Sequence, residues 1–268
     1  MPKDLRAGFP TYWTRFGQGP RKALMIHCTL AHSGAWGGMA RSLSGALSMT
    51  AFDMPGHGRS DDWDDRGEIQ AVTTEIAADF LDGPTDIIGH SFGATVALRL
   101  AVERPELVRS LTLFEPVFFA VAFADRAELR EKYMREFNEL AEMLAAGDAE
   151  KAARGFTGTW GDGRPWESLN SEQKQALAGR MQFVKAGGEA IYQDAGGMLA
   201  SGALERIEVP VLLMEGSTSP RDVSLINNGL ARRIPNVQRA IIAGAGHMGP
   251  ITHADQVAAE TLRFLGGV

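Results

Sequence analysis

Along the chain, apolar and polar positions switch between two periods. Residues 11–17 alternate bulky and polar side chains, a period of two that predicts an antiparallel edge strand. Short apolar runs at 23–27, 49–53, 86–90, 108–114, 209–214 and 237–242 predict strands buried on both faces. Helical spacing appears between them at 36–47, 68–81 (Ile69, Val72, Ile76, Phe80), 92–104, 221–232 and 254–265. Alternation of this kind from 23 to 115 predicts right-handed βαβ crossovers and a mainly parallel sheet. The rhythm then breaks: residues 117–203 are helical in character, with no strand and many aromatics, among them Phe118, Phe119, Phe123, Trp160 and Trp166. An all-helical insertion in an α/β sheet reads as a lid. The expected division is therefore 1–116 with 204–268 as core and 117–203 as helical cap.

Composition narrows the class without naming a chemistry. At 268 residues the chain suffices for one large α/β domain or two small ones, and 44% hydrophobic with 22% charged residues is ordinary for a soluble globular protein. A net charge of −6, with no basic run, argues against nucleic acid or an anionic membrane as partner. The single cysteine, Cys28, excludes an internal disulfide and suits a reducing compartment. Neither a signal peptide pattern nor a run of transmembrane length is present. A soluble, cytoplasmic monomer or homodimer is the expectation, with a small molecule as its partner.

The chemistry centres on Gly89-His90-Ser91-Phe92-Gly93, a G-x-S-x-G pattern between an apolar run and a helix. In that context the pattern means a sharp strand-to-helix turn with Ser91 at its apex and glycines where a Cβ would clash. Ser91 needs a base to remove its proton during attack. His247, in the Gly-rich loop Gly244-Ala245-Gly246-His247-Met248 after the last expected strand, is the candidate. His57 and His90 are read as scaffold, His253 as a helix start, and Cys28 as a small buried thiol.

Four motifs, in order and spacing, carry a resemblance to the α/β-hydrolase superfamily: His27-Cys28-Thr29 with Trp36 beyond it, the segment Asp53-Met54-Pro55-Gly56-His57-Gly58-Arg59-Ser60, the Ser91 turn, and the His247 loop. The resemblance covers about 10–115 and 205–265 and implies a mainly parallel sheet flanked by helices, with catalytic Ser91 and His247. In that family the acid usually stands three residues beyond a Gly after the penultimate strand, which here is Ser219. Two carboxylates could replace it. Asp222 reads adequately as a favourable charge in a helix's first turn. Glu115 ends the strand after the Ser91 helix, a location where some members of the superfamily carry their acid, and is the preferred partner of His247.

The resemblance also implies an oxyanion hole from the backbone N–H groups of Phe92 and Thr29. Cys28 replaces the usual Gly before Thr29, a strain if that position requires a positive φ. His32, Phe118 and Trp160 are candidate substrate contacts. No metal-ligand spacing or nucleotide fingerprint occurs, so no cofactor is expected. The implied activity is a serine hydrolase cleaving a carboxylic ester or lactone through an acyl-enzyme. Carbon–carbon bond hydrolysis, perhydrolysis and a slow-turnover small-molecule receptor are the alternatives.

Overall fold

The computed structural model describes residues 3–268. Eight strands, β1 (Lys3–Arg6), β2 (Phe9–Phe16), β3 (Arg21–Ile26), β4 (Leu47–Phe52), β5 (Thr85–His90), β6 (Val108–Phe114), β7 (Val211–Gly216) and β8 (Val237–Ile242), form one sheet. Its order is β1-β2-β4-β3-β5-β6-β7-β8, with β1 and β2 antiparallel and the rest parallel. The helices of the α/β part are α1 (Gly37–Leu43), α2 (Ile69–Asp79) and α3 (Phe92–Glu103). Six more, α4 (Phe119–Asp125), α5 (Glu128–Ala145), α6 (Ala149–Trp160), α7 (Ser171–Gly179), α8 (Met181–Ala186) and α9 (Gly188–Gln193), lie between β6 and β7. The chain closes with α10 (Arg221–Arg233), α11 (Gly249–Thr252) and α12 (Ala254–Leu265). Helices cover both faces. Residues of α2, α3 and α10 pack into one apolar cluster, and those of α1 and α12 into the other. This is the α/β arrangement expected from the alternating pattern.

Two local expectations are corrected. Residues 11–17 were expected at the sheet edge, but β1 lies outside β2 and pairs with it from Lys3↔Tyr12 to Arg6↔Phe9. Every residue of β1 is exposed or half-buried, so it carries no apolar signal that would announce a strand. The helix expected over 36–47 stops at Leu43 after a 3₁₀ turn at Ser33–Trp36. Apolar spacing continues through Ala46 and Leu47. However, the carbonyls of Ser44, Ala46 and Leu47 are taken by the N–H groups of Gln18, Arg21 and Gly19, which turns the chain into β4.

The parallel register brings the C-terminal ends of β3, β5, β6, β7 and β8 to one edge, where functional residues of α/β sheets collect. At that edge the turn after β5 has no room for side chains. A Cβ on Gly89 would lie 2.6 Å from the Ala94 Cα, and one on Gly93 2.3 Å from the Ile26 carbonyl oxygen. Helix α3 can therefore approach β3 and β5 only if both positions are glycine. Gly93→Ala is expected to lower stability by about 3–4 kcal/mol, since backbone atoms rather than flexible side chains must yield. A shift in the urea midpoint at constant m-value would measure it, and a shift under about 1 kcal/mol would contradict it.

Candidate active site

Ser91 sits between β5 and α3 with φ 55° and ψ −119°, a conformation that costs a non-glycine residue about 1–3 kcal/mol. Its N–H donates to the Phe114 carbonyl at 2.9 Å, and its own carbonyl accepts from Ala94 and Thr95, which holds the strained turn. The side chain is left pointing at His247, 156 residues away in sequence: Ser91 Oγ lies 2.9 Å from His247 Nε2. On the other side of the ring, Nδ1 lies 2.7 Å from Glu115 Oε2. A carboxylate can only accept, so the proton belongs on Nδ1 and the lone pair of Nε2 faces the serine hydroxyl. Ring and carboxylate are almost wholly buried.

Glu115 follows β6 directly and is itself in the left-handed region, with φ 48°. Its Oε1 accepts from the Gly216 N–H at 2.7 Å and from the Ser219 hydroxyl. Three donors thus solvate a charge that has no access to water, the condition under which a buried carboxylate is tolerated. Ser219, where the family pattern leads one to look for the acid, instead donates a hydrogen bond to the Glu115 carboxylate at the end of the neighbouring strand. Asp222 points elsewhere: its carboxylate accepts from the Tyr133 hydroxyl and from Lys132 Nζ, both on α5. His90 Nε2 donates to the His247 carbonyl at 2.8 Å, pinning the loop that carries the His247 ring. Burial, then the nearby His247 ring, hold the His90 pKa well below its ordinary value, so it stays a neutral donor.

The loop after β3 is fixed by two more buried histidines. His27 donates from Nδ1 to the Cys28 carbonyl at 2.8 Å and accepts at Nε2 from the Met54 N–H. His57 donates from Nδ1 to the Pro55 carbonyl and accepts at Nε2 from the Leu30 N–H at 3.2 Å. A second proton on either ring would confront an N–H donor. Burial above all pushes both pKa values down to about 3. Asp53 completes the support, accepting from the Ser33 and Arg59 N–H groups. The condition for strain at Cys28 is not met, since its φ is not positive; the left-handed residue of this loop is Leu30, φ 69°. Cys28 is buried and its thiol is pushed up to about 12 by desolvation, which leaves it unreactive.

Thr29, Ser91, Phe92 and His247 line one small cavity of about 50 Å³ with Val117, Phe119, Phe156, Trp160, Phe183, Val184, Gly187, Ile191 and Tyr192. Phe92 opens α3, so its N–H has no carbonyl one turn earlier in the helix to bond. Of the residues expected to touch substrate, Trp160 lies here, with its ring edge-on to His247 at 4.8 Å between centroids. Phe118 does not. It is fully buried in the core under α4, and its neighbours Val117 and Phe119 face the cavity instead. His32 lines an adjoining cavity and caps the 3₁₀ turn, its Nδ1 accepting from the Gly34 N–H. Helix α6 runs through Trp160. The bend starts only at Gly161, and Trp166 packs with α6 and α7. Phe183, Ile191 and Tyr192 carried no sequence signal, because α8 and α9 are too short to show periodicity. Among the described residues, no group of three His, Cys, Asp or Glu side chains could hold a metal ion. Nor is any helix long and apolar enough to cross a membrane.

With fold and site in hand, the chain belongs to the alpha/beta hydrolase family, whose model matches residues 23–260. It is 37% identical over 159 residues to lipase LipV of Mycobacterium tuberculosis, a match spanning 56% of either chain and so about half the length of that relative. It is 28% identical over 258 residues to a pimeloyl-[acyl-carrier protein] methyl ester esterase of Neisseria meningitidis serogroup A, covering 92% of this chain and 78% of the relative. Among solved structures, a thermophilic esterase from Thermogutta terrifontis superposes with a TM-score of 0.75 at 18% identity, covering 99% of this chain and 96% of that one. That last likeness is one of fold.

Proposed function

We propose that the protein is a serine hydrolase of small carboxylic esters or lactones. The observation that carries the reading is the continuous relay from Ser91 Oγ through His247 to Glu115, with contacts of 2.9 Å and 2.7 Å. Ser91 attacks the carbonyl carbon and its proton passes to Nε2 of His247. The developing oxyanion is held by the N–H groups of Phe92 and Thr29, each worth about 3–4 kcal/mol in the transition state. Collapse expels the alcohol, which leaves with the proton from Nε2, and an acyl-enzyme remains on Ser91. Water then attacks as His247 takes its proton, and the acid departs. Glu115 keeps the ring in the reactive tautomer and stabilises the imidazolium. Support for an ester substrate comes from the names of the lipase and esterase relatives.

Residues 117–203 act as the lid in this reading, since α4, α6, α8 and α9 supply the wall facing Ser91. The site is complete within one chain, so a monomer suffices. The lone, buried Cys28 accords with a cytoplasmic setting. The Glu115 carboxylate on His247, with Ser at position 219, supports turnover over the receptor alternative.

Labelling tests the reading. A short-chain fluorophosphonate is expected to add its phosphonyl mass to the peptide containing Ser91 in the wild-type protein, and nothing to Ser91→Ala. Labelling elsewhere, or none, would sink it.

A further inference from the structure

We infer that Trp160 divides the substrate space into two unequal chambers, selecting esters with a short acyl group and a larger alcohol. This rests on the serine-hydrolase reading of Ser91 and His247. The inner chamber is the 50 Å³ cavity that contains Ser91 and His247. Beside it lies an outer cavity of about 290 Å³, reached past His32, Asp162, Arg164, Leu177, Met248 and Ile251. The two share Thr29, Phe156 and Trp160 as walls. Phe156 and Trp160 are four residues apart on α6 and so stand on one helix face. Thr29, the expected oxyanion donor, borders both cavities as well. A substrate whose carbonyl reaches Ser91 therefore has one arm in each chamber.

Proton transfer settles which arm goes where. The leaving oxygen receives its proton from His247 Nε2, so the alcohol starts beside that ring. Met248 and Ile251, which follow His247, line the outer cavity and not the inner one. Phe92, Val117, Phe119, Phe183, Ile191 and Tyr192 wall only the inner one. The alcohol thus extends outward and the acyl group inward. With about 50 Å³ against about 290 Å³, the inner chamber is much the smaller of the two and takes the shorter arm. The outer rim is polar, with Arg164 Nε donating to Asp162 at 2.7 Å, and tolerates a partly hydrated alcohol. Trp160 is braced by His247 and by the Phe119 ring, 6.1 Å away and perpendicular. Its indole limits acyl length.

The test uses the full-length protein and measures kcat/KM for 2-naphthyl acetate, butyrate and octanoate, and for methyl acetate and methyl octanoate. The two short naphthyl esters are expected to exceed both octanoates at least tenfold. Trp160→Ala, which merges the chambers, is expected to raise the octanoate-to-acetate ratio of the naphthyl esters at least tenfold. Ile251→Trp fills the outer cavity from a position 41% exposed, where the fold tolerates bulk, and is expected to lower the ratio of naphthyl to methyl acetate. Methyl octanoate outrunning naphthyl acetate would mean the arms are reversed and overturn the inference. A flat acyl-length profile in the wild-type protein would overturn it as well. Either result obtained with Ser91 still labelled by the fluorophosphonate would leave the hydrolase reading standing; failure to label would remove both.

Discussion

Ser91→Ala is expected to reduce kcat for ester hydrolysis by about 10⁶-fold, and Glu115→Gln by about 10⁴-fold, with KM little changed. A factor of 10⁴ corresponds to about 5.5 kcal/mol of lost transition-state stabilisation. The amide introduced by Glu115→Gln keeps the shape of the carboxylate, and its oxygen can still accept from Gly216 and Ser219, so folding should survive. What changes is the partner of His247 Nδ1. An amide does not stabilise an imidazolium, and its NH₂ group favours the tautomer that puts the proton on Nε2, toward Ser91. Asp222→Asn is the matched comparison: that carboxylate is held by Tyr133 and Lys132 rather than by His247, so turnover should stay within about threefold of wild type. Steady-state kinetics on the three variants decide the matter. Glu115→Gln retaining more than a tenth of the wild-type kcat, or Asp222→Asn losing a thousandfold, would show that the acid has been misassigned.

Acid should destabilise the protein well above the carboxylate range. His27 and His57 have folded pKa values lowered to about 3 from 6.5, with burial the largest cause in each. The unfolded chain therefore binds their protons below pH 6.5 while the native state refuses them. Stability from these groups is complete above pH 6.5 and is lost as pH falls from 6.5 toward 3. Each contributes a slope of about 1.4 kcal/mol per pH unit, so the pair costs about 5–6 kcal/mol between pH 6 and pH 4. His90, lowered by burial and by His247, adds in the same direction. A loss of that size is comparable with the whole stability of a typical domain. Urea unfolding at pH 7, 6, 5 and 4 would read it. His57→Gln, which keeps one donor and one acceptor without a titrating ring, should flatten the slope by about 1.4 kcal/mol per unit. Stability that stays level from pH 6.5 to 4 would refute the account.

Much of the architecture was legible because its signals are local. Period-two and period-3.6 apolar spacing marks strands and helices wherever a face is buried, and the alternation of the two dictates a parallel sheet. The strand β1 escaped notice because neither face is buried. The end of α1 escaped because hydrogen bonds from residues 18, 19 and 21 decide it, and spacing within 36–47 contains no trace of them. The turn at Ser91 was legible for a steric reason: only glycine fits at 89 and 93, so the turn writes itself into the chain. The cavity was far less so. Phe118 and Phe119 look alike as letters, yet one lies under α4 and the other faces Ser91, and only the direction in which α4 leaves β6 separates them.

What the amino-acid order determined by itself was most of the elements, the strained position of Ser91, and the presence of an imidazole and spare carboxylates near strand ends. Those depend on neighbours within a few residues. The choice between Glu115 and Asp222 belonged to the tertiary structure, because a hydrogen bond is decided over a few ångströms and the partners lie 132 residues apart along the chain. So did the meaning of Ser219, which reads as a missing acid in one dimension and becomes a donor to Glu115 once β6 and β7 pair. So, too, did the two chambers on either side of Trp160, whose walls come from separate parts of the chain.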